Sequence, residues 1–367
     1  MRVLVTGSRG FIGKNLCLRL EEMPDVCVLR FDRDDPPELL AQRIAQADVV
    51  VHLAGENRPR DPADLVRGNA ELTAALCEAI RLGGRTVPLL LASSIQATLD
   101  NPYGRSKRAA EVAAEGLAAT GNPVVVYRLP GVFGKWCRPD YNSVVATFCH
   151  NIARDLPIRI DNPAAIVRLV YVDDVINSFI ADLAAAPEGV CFREVAPVHA
   201  VGLGELAAQI RAFRSCRDNL VIERVGAGFV HALYATYVSY LPPTQFSYRL
   251  PLHADKRGVF VEMLKTADSG QFSFFTSLPG VTRGSHYHHS KSEKFLVIKG
   301  RALFRFRHVL TGERHQIETE GGCPEVVETV PGWTHEVTNV GEDEMVVMLW
   351  ANENYDPARP DTIPCKV

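Results

Sequence analysis

At 367 residues the chain exceeds one typical domain, so two domains are expected. Its 47% hydrophobic and 23% charged residues are those of a soluble globular protein, and a net charge of −3 gives no reason to expect nucleic acid or a membrane surface as partner. No apolar run approaches the length of a membrane span, and Met1 leads straight into a strand without a signal-peptide pattern. Nine scattered cysteines with no Cys-x-x-Cys suit reduced thiols, so a cytoplasmic location is expected.

The first stretch, MRVLVTGSRGFIG, is a β-branched strand running into Gly7-x-x-Gly10-x-x-Gly13, with a helix expected over 14–22. Such a loop turns tightly and approaches a pyrophosphate, which then rests on helical N–H groups. A lone glycine triplet is as often an ordinary turn; the strand before it and the helix after it give this one its weight. A second strand, 26–31, ends at Asp32 and Arg33, near the spacing of about 20 residues at which the ribose is read. Asp32 suits a free ribose hydroxyl and Arg33 a 2′-phosphate, so the two point to different cofactors.

ADVVVHLAG, 47–55, is another buried strand, ending at Leu53, Ala54 and Gly55 where cofactor and substrate should meet. A helix with an apolar face is expected over 67–80, and a buried strand over 87–92. Then come Ser93, Ser94 and an alanine-rich helix carrying Tyr103 and Lys107, four residues apart on one face. The ammonium favours the phenolate, which would bring a phenol of reference pKa ~10 nearer neutrality. A serine hydroxyl leaving the strand would hold a substrate oxygen against that phenol. Together these form a proton relay for a carbonyl being reduced or an alcohol being oxidised. With a further strand over 124–129, strands alternate with helices, as in a parallel sheet wound on both faces.

In order, TGSRGFIG, VVHLAG, SSIQAT, YGRSK, YRLPGVFG and YVDDV resemble the extended short-chain dehydrogenase/reductase family, particularly its nucleotide-sugar branch, over roughly the first 235 residues. The resemblance implies a Rossmann-type α/β domain in which Tyr103 is the proton donor or acceptor. Lys107 would lower its pKa and hold the nicotinamide ribose, and Ser94, or its neighbour Ser93, would orient the carbonyl. It implies cofactor contacts from Gly7, Ser8, Arg9, Gly10, Phe11, Ile12, Gly13, Arg33, Leu53, Ala54, Gly55, Tyr103 and Lys107. The loop between Ser94 and Tyr103 is shorter than in many relatives, which implies a more open pocket on that side. WCRPDYNSVVATFCH, from Trp136, matches a region that reaches over the sugar nucleotide in relatives; an ordinary lid loop is an equal reading for any one of its residues. Arg168 suits a diphosphate, but one arginine carries little weight.

Helices are expected over 202–213 and 229–240, and the Pro-rich 241–247 marks a boundary, giving a reductase domain over 1–243 and a second domain over 244–367. After Arg249 the pattern turns all-β, with FVEML, QFSFFTS, EKFLVIKG, ALFRFRHV, HQIETE and EMVVMLW as short strands of a sandwich or jelly roll. On a strand His286 and His288 share a face. Glu293 can return from the next strand, and His335, with Asn339 beyond it, supplies a fourth ligand. Three imidazoles and a carboxylate suit zinc or another divalent metal. His-x-His alone would be a polar surface pair; Glu293 and His335 reverse that, while His289 faces the other way.

This spacing resembles the cupin superfamily in its first half; with Pro331 and Gly332 adjacent, the second half is looser. Asp255-x-Arg257-Gly258-x-Phe260-x-Glu262 and Arg283-Gly284-Ser285-His286-Tyr287 also resemble the metal-free nucleotide-sugar 3,5-epimerases. There the histidine matching His286 removes a proton beside a ketone, so His286 is either ligand or base. Along essentially its whole length the chain resembles the bifunctional enzymes of capsular-polysaccharide synthesis. That resemblance implies a zinc-containing homodimer whose cupin domain epimerises C3 of UDP-2-acetamido-2,6-dideoxy-L-arabino-4-hexulose. The reductase domain then reduces C4 with NADPH, NADH being the other nucleotide, to UDP-2-acetamido-2,6-dideoxy-L-talose, a precursor of UDP-N-acetyl-L-fucosamine in capsule or O-antigen biosynthesis. The alternatives are a plain nucleotide-sugar reductase with a structural or dimerising cupin, and a non-catalytic NADP sensor.

Overall fold

Short strands rich in Val and Leu, with little polar alternation, must bury both faces, and six of them organise the first half of the chain. The computed structural model describes residues 1–183, 188–250, 253–255, 258–260, 264, 270–353 and 358–367, with the backbone alone for 253–255, 258–260 and 271–273. Contacts divide these residues into two compact units, 1–143 with 166–201, and 144–165 with 202–367.

In the first unit β1 (Arg2–Thr6), β2 (Cys27–Phe31), β3 (Val49–His52), β4 (Leu89–Ser94), β5 (Val124–Leu129) and β8 (Val190–Arg193) form a parallel sheet in the order β2-β1-β3-β4-β5-β8. Leu4, Val50, Leu89, Leu91, Val124 and Val126 pack on one face against Leu40 and Ile44 of α2 (Pro37–Gln46), Leu76 and Ile80 of α4 (Leu72–Leu82), and Ala114 and Leu117 of α5 (Pro102–Ala118). The alternate residues Val3, Val5, Val51, Leu90 and Val125 are equally buried on the other face, where α1 (Phe11–Glu21) and α7 (Val172–Leu183) pack together. The sheet is wound on both sides, as expected. A smaller sheet joins β6 (Gly131–Phe133), β7 (Ile166–Tyr171) and β9 (His199–Gly202).

Two differences from the sequence expectations bear on the site. β4 runs on through Ser93 and Ser94, so the two serines alternate to opposite faces. The helix expected over 67–80 is instead a turn of α3 (Ala63–Leu65), a π-helical turn over Val66–Glu71, and then α4. In that wide turn Asn69 is buried and bonds the Glu56 backbone in both directions, at 2.9 and 3.0 Å.

In the second unit α6 (Val144–Ile152), α8 (Leu203–Asn219) and α9 (Gly228–Ser239) accompany a hairpin of β11 (His253–Asp255) and β12 (Gly258–Phe260) and two antiparallel five-stranded sheets. One holds β10 (Ser247–Arg249), β18 (Glu325–Thr329), β15 (Glu293–Lys299), β20 (Met345–Ala351) and β13 (Gln271–Ser277). The other holds β17 (Arg314–Glu320), β16 (Arg301–His308), β19 (Trp333–Asn339), β14 (Thr282–Tyr287) and β21 (Ile363–Pro364). Along β16, Ala302, Phe304 and Phe306 are buried while Arg301, Arg305 and Arg307 point outward, the period of two of a half-buried strand. Phe295 of β15 meets Phe304 of β16 at 5.6 Å and His335 of β19 at 6.3 Å, so the two sheets face each other across an aromatic core. Val261, Glu262 and Met263 of the expected FVEML strand, and Arg257, lie outside the described residues.

A buried ionic cluster ties the helices of this unit to its sheets. Glu328 accepts from Lys294 at 2.5 Å, from Arg217 of α8 at 2.6 Å and from Tyr234 of α9 at 3.0 Å. The expected change from helical to all-β organisation at residue 243 lies within the unit. No cysteine is paired in a disulfide, and no helix among the described residues is long and apolar enough to cross a membrane.

Candidate functional site

Between β1 and α1 the glycines are required by close approach. Gly7 adopts φ +69°, and a Cβ there would lie 2.7 Å from Ala54 N; a Cβ on Gly13 would lie 2.2 Å from the Gly7 carbonyl oxygen. Gly10 caps α1 without a side chain, so the N–H groups of Phe11, Ile12 and Gly13 open the helix with no intrahelical acceptor, as an anion site requires. Leu53 and Ala54 follow β3 on the other side of the turn, held to Thr6 through the Leu53 N–H (3.2 Å) and Ala54 N–H (3.3 Å).

Asp32 ends β2 with both carboxylate oxygens engaged. The Ser8 hydroxyl donates to one, and the Arg9 N–H donates to the other at 2.9 Å. Arg9 and Arg33 flank it with guanidinium side chains 66% and 79% exposed, Arg33 pairing with Glu56.

Ser94, Tyr103 and Lys107 converge where β4 leads into α5. Ser94 neighbours Tyr103 and its hydroxyl accepts the Gln96 N–H at 3.1 Å, while the Tyr103 hydroxyl donates to Asn57 Oδ1 at 3.0 Å. Lys107 Nζ lies 5.9 Å from the Tyr103 ring centre and donates to the Ala92 carbonyl at 3.4 Å. Ser93 faces away and donates to the buried Glu111 at 2.6 Å. Glu111 also takes a bidentate Arg128, at 2.9 and 2.7 Å, and Arg108 at 3.0 Å. Of the two serines, Ser94 is therefore the one on the Tyr103 side of the strand. The sequence expectation for the phenol needs correction: burial raises the pKa of Tyr103, with only the Ser94 hydrogen bond opposing it. Burial also pushes Lys107 down to about 8, which Glu111 partly resists. With the ammonium 5.9 Å from the ring centre, desolvation governs the phenol.

Around the mouth, Lys135 is buried, pairs with Asp173 at 3.0 Å and lies 5.4 Å from the Trp136 ring centre. Arg58 donates to Asn142 at 3.0 Å, so the 136–143 segment is anchored at both ends. Arg168 is exposed on β7. Asn57, Asn69 and Glu111 were not visible to sequence reasoning; each acts through a contact distant in the chain.

In the second unit His286 on β14, His288 just beyond it, Glu293 at the start of β15 and His335 on β19 bring one ligand atom each within 4.8 Å of one another. A β-bulge at Ser285, where φ is 59°, shifts the register so that His286 lies opposite His335. Glu293 Oε2 sits 3.2 Å from His288 Nε2 and 3.3 Å from His335 Nε2. Lys291 Nζ holds the other oxygen at 3.0 Å. His288 Nδ1 faces the Asp361 carbonyl oxygen, which only accepts, so Nδ1 carries a proton and Nε2 is the nitrogen turned to the cluster. Burial and the two neighbouring imidazoles push His286 down to about 4, and burial lowers His335 as well. Burial opposes a charged His288, but Glu293 beside it prevails and raises its pKa. This donor set fits zinc or another divalent metal. Asn339 is not part of it: its amide donates to the Ser277 and Asp343 carbonyls and accepts from the Gly341 N–H, all at 2.9 Å. His289 points away, its ring 5.4 Å from Tyr287.

Residues 3–193 match the NAD dependent epimerase/dehydratase family and residues 253–363 the polysaccharide biosynthesis C-terminal domain. The chain belongs to the NAD dependent epimerase/dehydratase family, in a form that carries this second domain. It is 56% identical over 368 residues to a UDP-2-acetamido-2,6-beta-L-arabino-hexul-4-ose reductase of Pseudomonas aeruginosa, covering 100% of this chain and 99% of that relative. It shares its two-part organisation with the capsular polysaccharide assembling protein CapF of Staphylococcus aureus, whose crystal structure matches over 100% of both chains with 40% identity and a TM-score of 0.69. A UDP-glucuronic acid 4-epimerase of Bacillus cereus, solved with NAD, covers 58% of this chain and 82% of its own at 19% identity and a TM-score of 0.52, a likeness of fold.

Proposed function

We propose that the protein is a bifunctional UDP-sugar enzyme of capsule or O-antigen biosynthesis, with a reductase domain over 1–243 and a cupin epimerase domain over 244–367. Its substrate is UDP-2-acetamido-2,6-dideoxy-L-arabino-4-hexulose; C3 is inverted first and C4 is then reduced, giving UDP-2-acetamido-2,6-dideoxy-L-talose. The observation that carries this is the presence in one chain of two separate constellations, Ser94/Tyr103/Lys107 and His286/His288/Glu293/His335. The full-length likeness to the Pseudomonas aeruginosa reductase supports the substrate class.

In the reductase, NADPH supplies the hydride for C4 when bound. Ser94 donates a hydrogen bond to the C4 oxygen, Tyr103 gives that oxygen its proton, and Lys107 holds the nicotinamide ribose and favours the phenolate left behind. NADPH is favoured over NADH because Asp32 is already occupied by Ser8 and Arg9 and is not open to a ribose diol. Arg9 and Arg33 stand exposed beside it, as a 2′-phosphate requires.

In the cupin a divalent metal, when bound, supplies a Lewis acid that polarises the 4-ketone and acidifies C3–H. His288, Glu293 and His335 hold it, with His286 as fourth ligand. A second reading makes His286 the base at C3: it is the one half-buried member of the four, and Glu293 bonds His288 and His335. Cysteines outside any disulfide support a cytoplasmic location, and the resemblance to capsule enzymes supports a homodimer. The test is incubation with the 4-keto substrate and NADPH, with NMR of the product: the L-talo sugar is expected, and reduction with C3 unchanged would leave a plain reductase.

A further inference from the structure

The last residues of the chain are laced onto the strands that carry the metal-ligand cluster. Pro364 pairs with His286 and Ile363 with Tyr287; the Cys365 N–H donates to the Ser285 carbonyl at 2.9 Å. The Thr334 hydroxyl, one residue before His335, donates to the Cys365 carbonyl at 2.6 Å, and Arg307 donates to the Lys366 carbonyl at 2.6 Å. At the head of this strap stands Asp361, which makes two kinds of contact with the loop joining His288 to Glu293.

Its carboxylate accepts three successive backbone N–H groups, from His289 at 2.8 Å, Ser290 at 2.7 Å and Lys291 at 2.8 Å, and also the Ser290 hydroxyl at 3.1 Å. Consecutive N–H groups turned inward make a concavity that favours an anion, so the carboxylate fixes the path of the whole loop. Its backbone carbonyl takes the Nδ1 proton of His288. One residue therefore orders the loop that presents Lys291 and Glu293 and selects the tautomer that aims His288 Nε2 inward.

We propose that Asp361 is a positioning residue for the metal centre, so that cation affinity is set by a strap some seventy residues from the ligands it serves. The proposal rests on the reading of the cluster as a divalent-metal site. Disturbing the partners behind metal ligands lowers affinity by roughly 10–100-fold; side-chain substitution keeps the carbonyl that faces His288 and removes the carboxylate that orders the loop to Glu293.

The test uses the full chain, stripped of metal and titrated with Co²⁺ against a chelator, with the visible absorption of bound cobalt recorded. Asp361→Ala is expected to weaken cobalt binding by about 10–100-fold and to alter its absorption bands. Asp361→Asn, whose amide oxygen still accepts N–H groups, is expected to recover part of both. The metal-free thermal midpoints of the variants should stay close to that of the unaltered protein, while the increment added by cobalt shrinks. Cobalt binding and spectrum unchanged in Asp361→Ala would overturn the proposal, as would an affinity loss matched by an equal fall in metal-free stability. Failure of the unaltered protein to bind cobalt would instead overturn the metal site itself.

Discussion

Ser93 and Ser94 are neighbours on β4 turned to opposite sides: Ser93 donates to buried Glu111 at 2.6 Å, and Ser94 neighbours Tyr103. Alternation along a strand enforces this division. Ser94→Ala should lower kcat for ketone reduction by about 10²–10³-fold, the effect of losing one donor to a developing oxyanion, with NADPH affinity retained. Ser93→Ala should leave kcat within a few-fold and destabilise the fold by about 1–3 kcal/mol, because a buried acceptor loses its donor. Steady-state kinetics and urea denaturation of the pair decide it; the reverse pattern would assign the relay to Ser93.

Lys107 predicts a pH dependence. Burial holds its ammonium down at about 8. Reduction measured as kcat/KM should therefore fall on an alkaline limb near that pH, and the limb should be absent in Lys107→Met. For stability the sign is opposite: an unfolded lysine titrates near ~10.4, so between the two values the unfolded chain binds more protons and stability rises with pH. The stability advantage of Lys107→Met should accordingly shrink from pH 8 upward, as followed by denaturant titration.

Arg9 and Arg33 predict the choice of nucleotide. Arg33→Ala should raise KM for NADPH by about 10–100-fold, the worth of one charge-assisted hydrogen bond, and leave KM for NADH nearly unchanged. Asp32→Ala, which frees Ser8 and the Arg9 N–H, should weaken both nucleotides through the glycine loop. Equal losses for both nucleotides in Arg33→Ala would remove the 2′-phosphate assignment.

Glu328 predicts stability in the second unit. Both it and Lys294 are buried, and Arg217 is nearly so. Glu328→Gln leaves two cations without their counter-ion and should cost about 3–5 kcal/mol. Adding Lys294→Met should recover part of that loss, since an apolar side chain of similar volume removes one uncompensated charge. Thermal unfolding of the single and double variants measures the coupling.

Local spacing made much of this molecule legible. The glycine loop and the Tyr-Lys step are each fixed by a period of one element, the His-x-His with Glu293 by the short loop between β14 and β15, and the structure brings the members of each together. What stayed hidden depends on distant chain segments. Asn57, Glu111 and Asp361 are residue types ordinarily found on surfaces, and nothing near them in sequence announces that Tyr103, Ser93 or the 288–291 loop will arrive. The rise in the Tyr103 pKa was hidden for a related reason, because sequence shows the neighbouring charge but not the depth of burial that outweighs it. Asn339, by contrast, carried a ligand's chemistry, but a tight turn takes both ends of its amide.

Deuterium reports most directly whether the two sites act in order on one sugar. The 4-keto substrate should be incubated with the protein in deuterated water, first without NADPH and then with it, and followed by NMR. Deuterium entering C3 without cofactor, followed by L-talo product only when NADPH is added, is the predicted result. Reduction at C4 with no deuterium at C3 under either condition would contradict it.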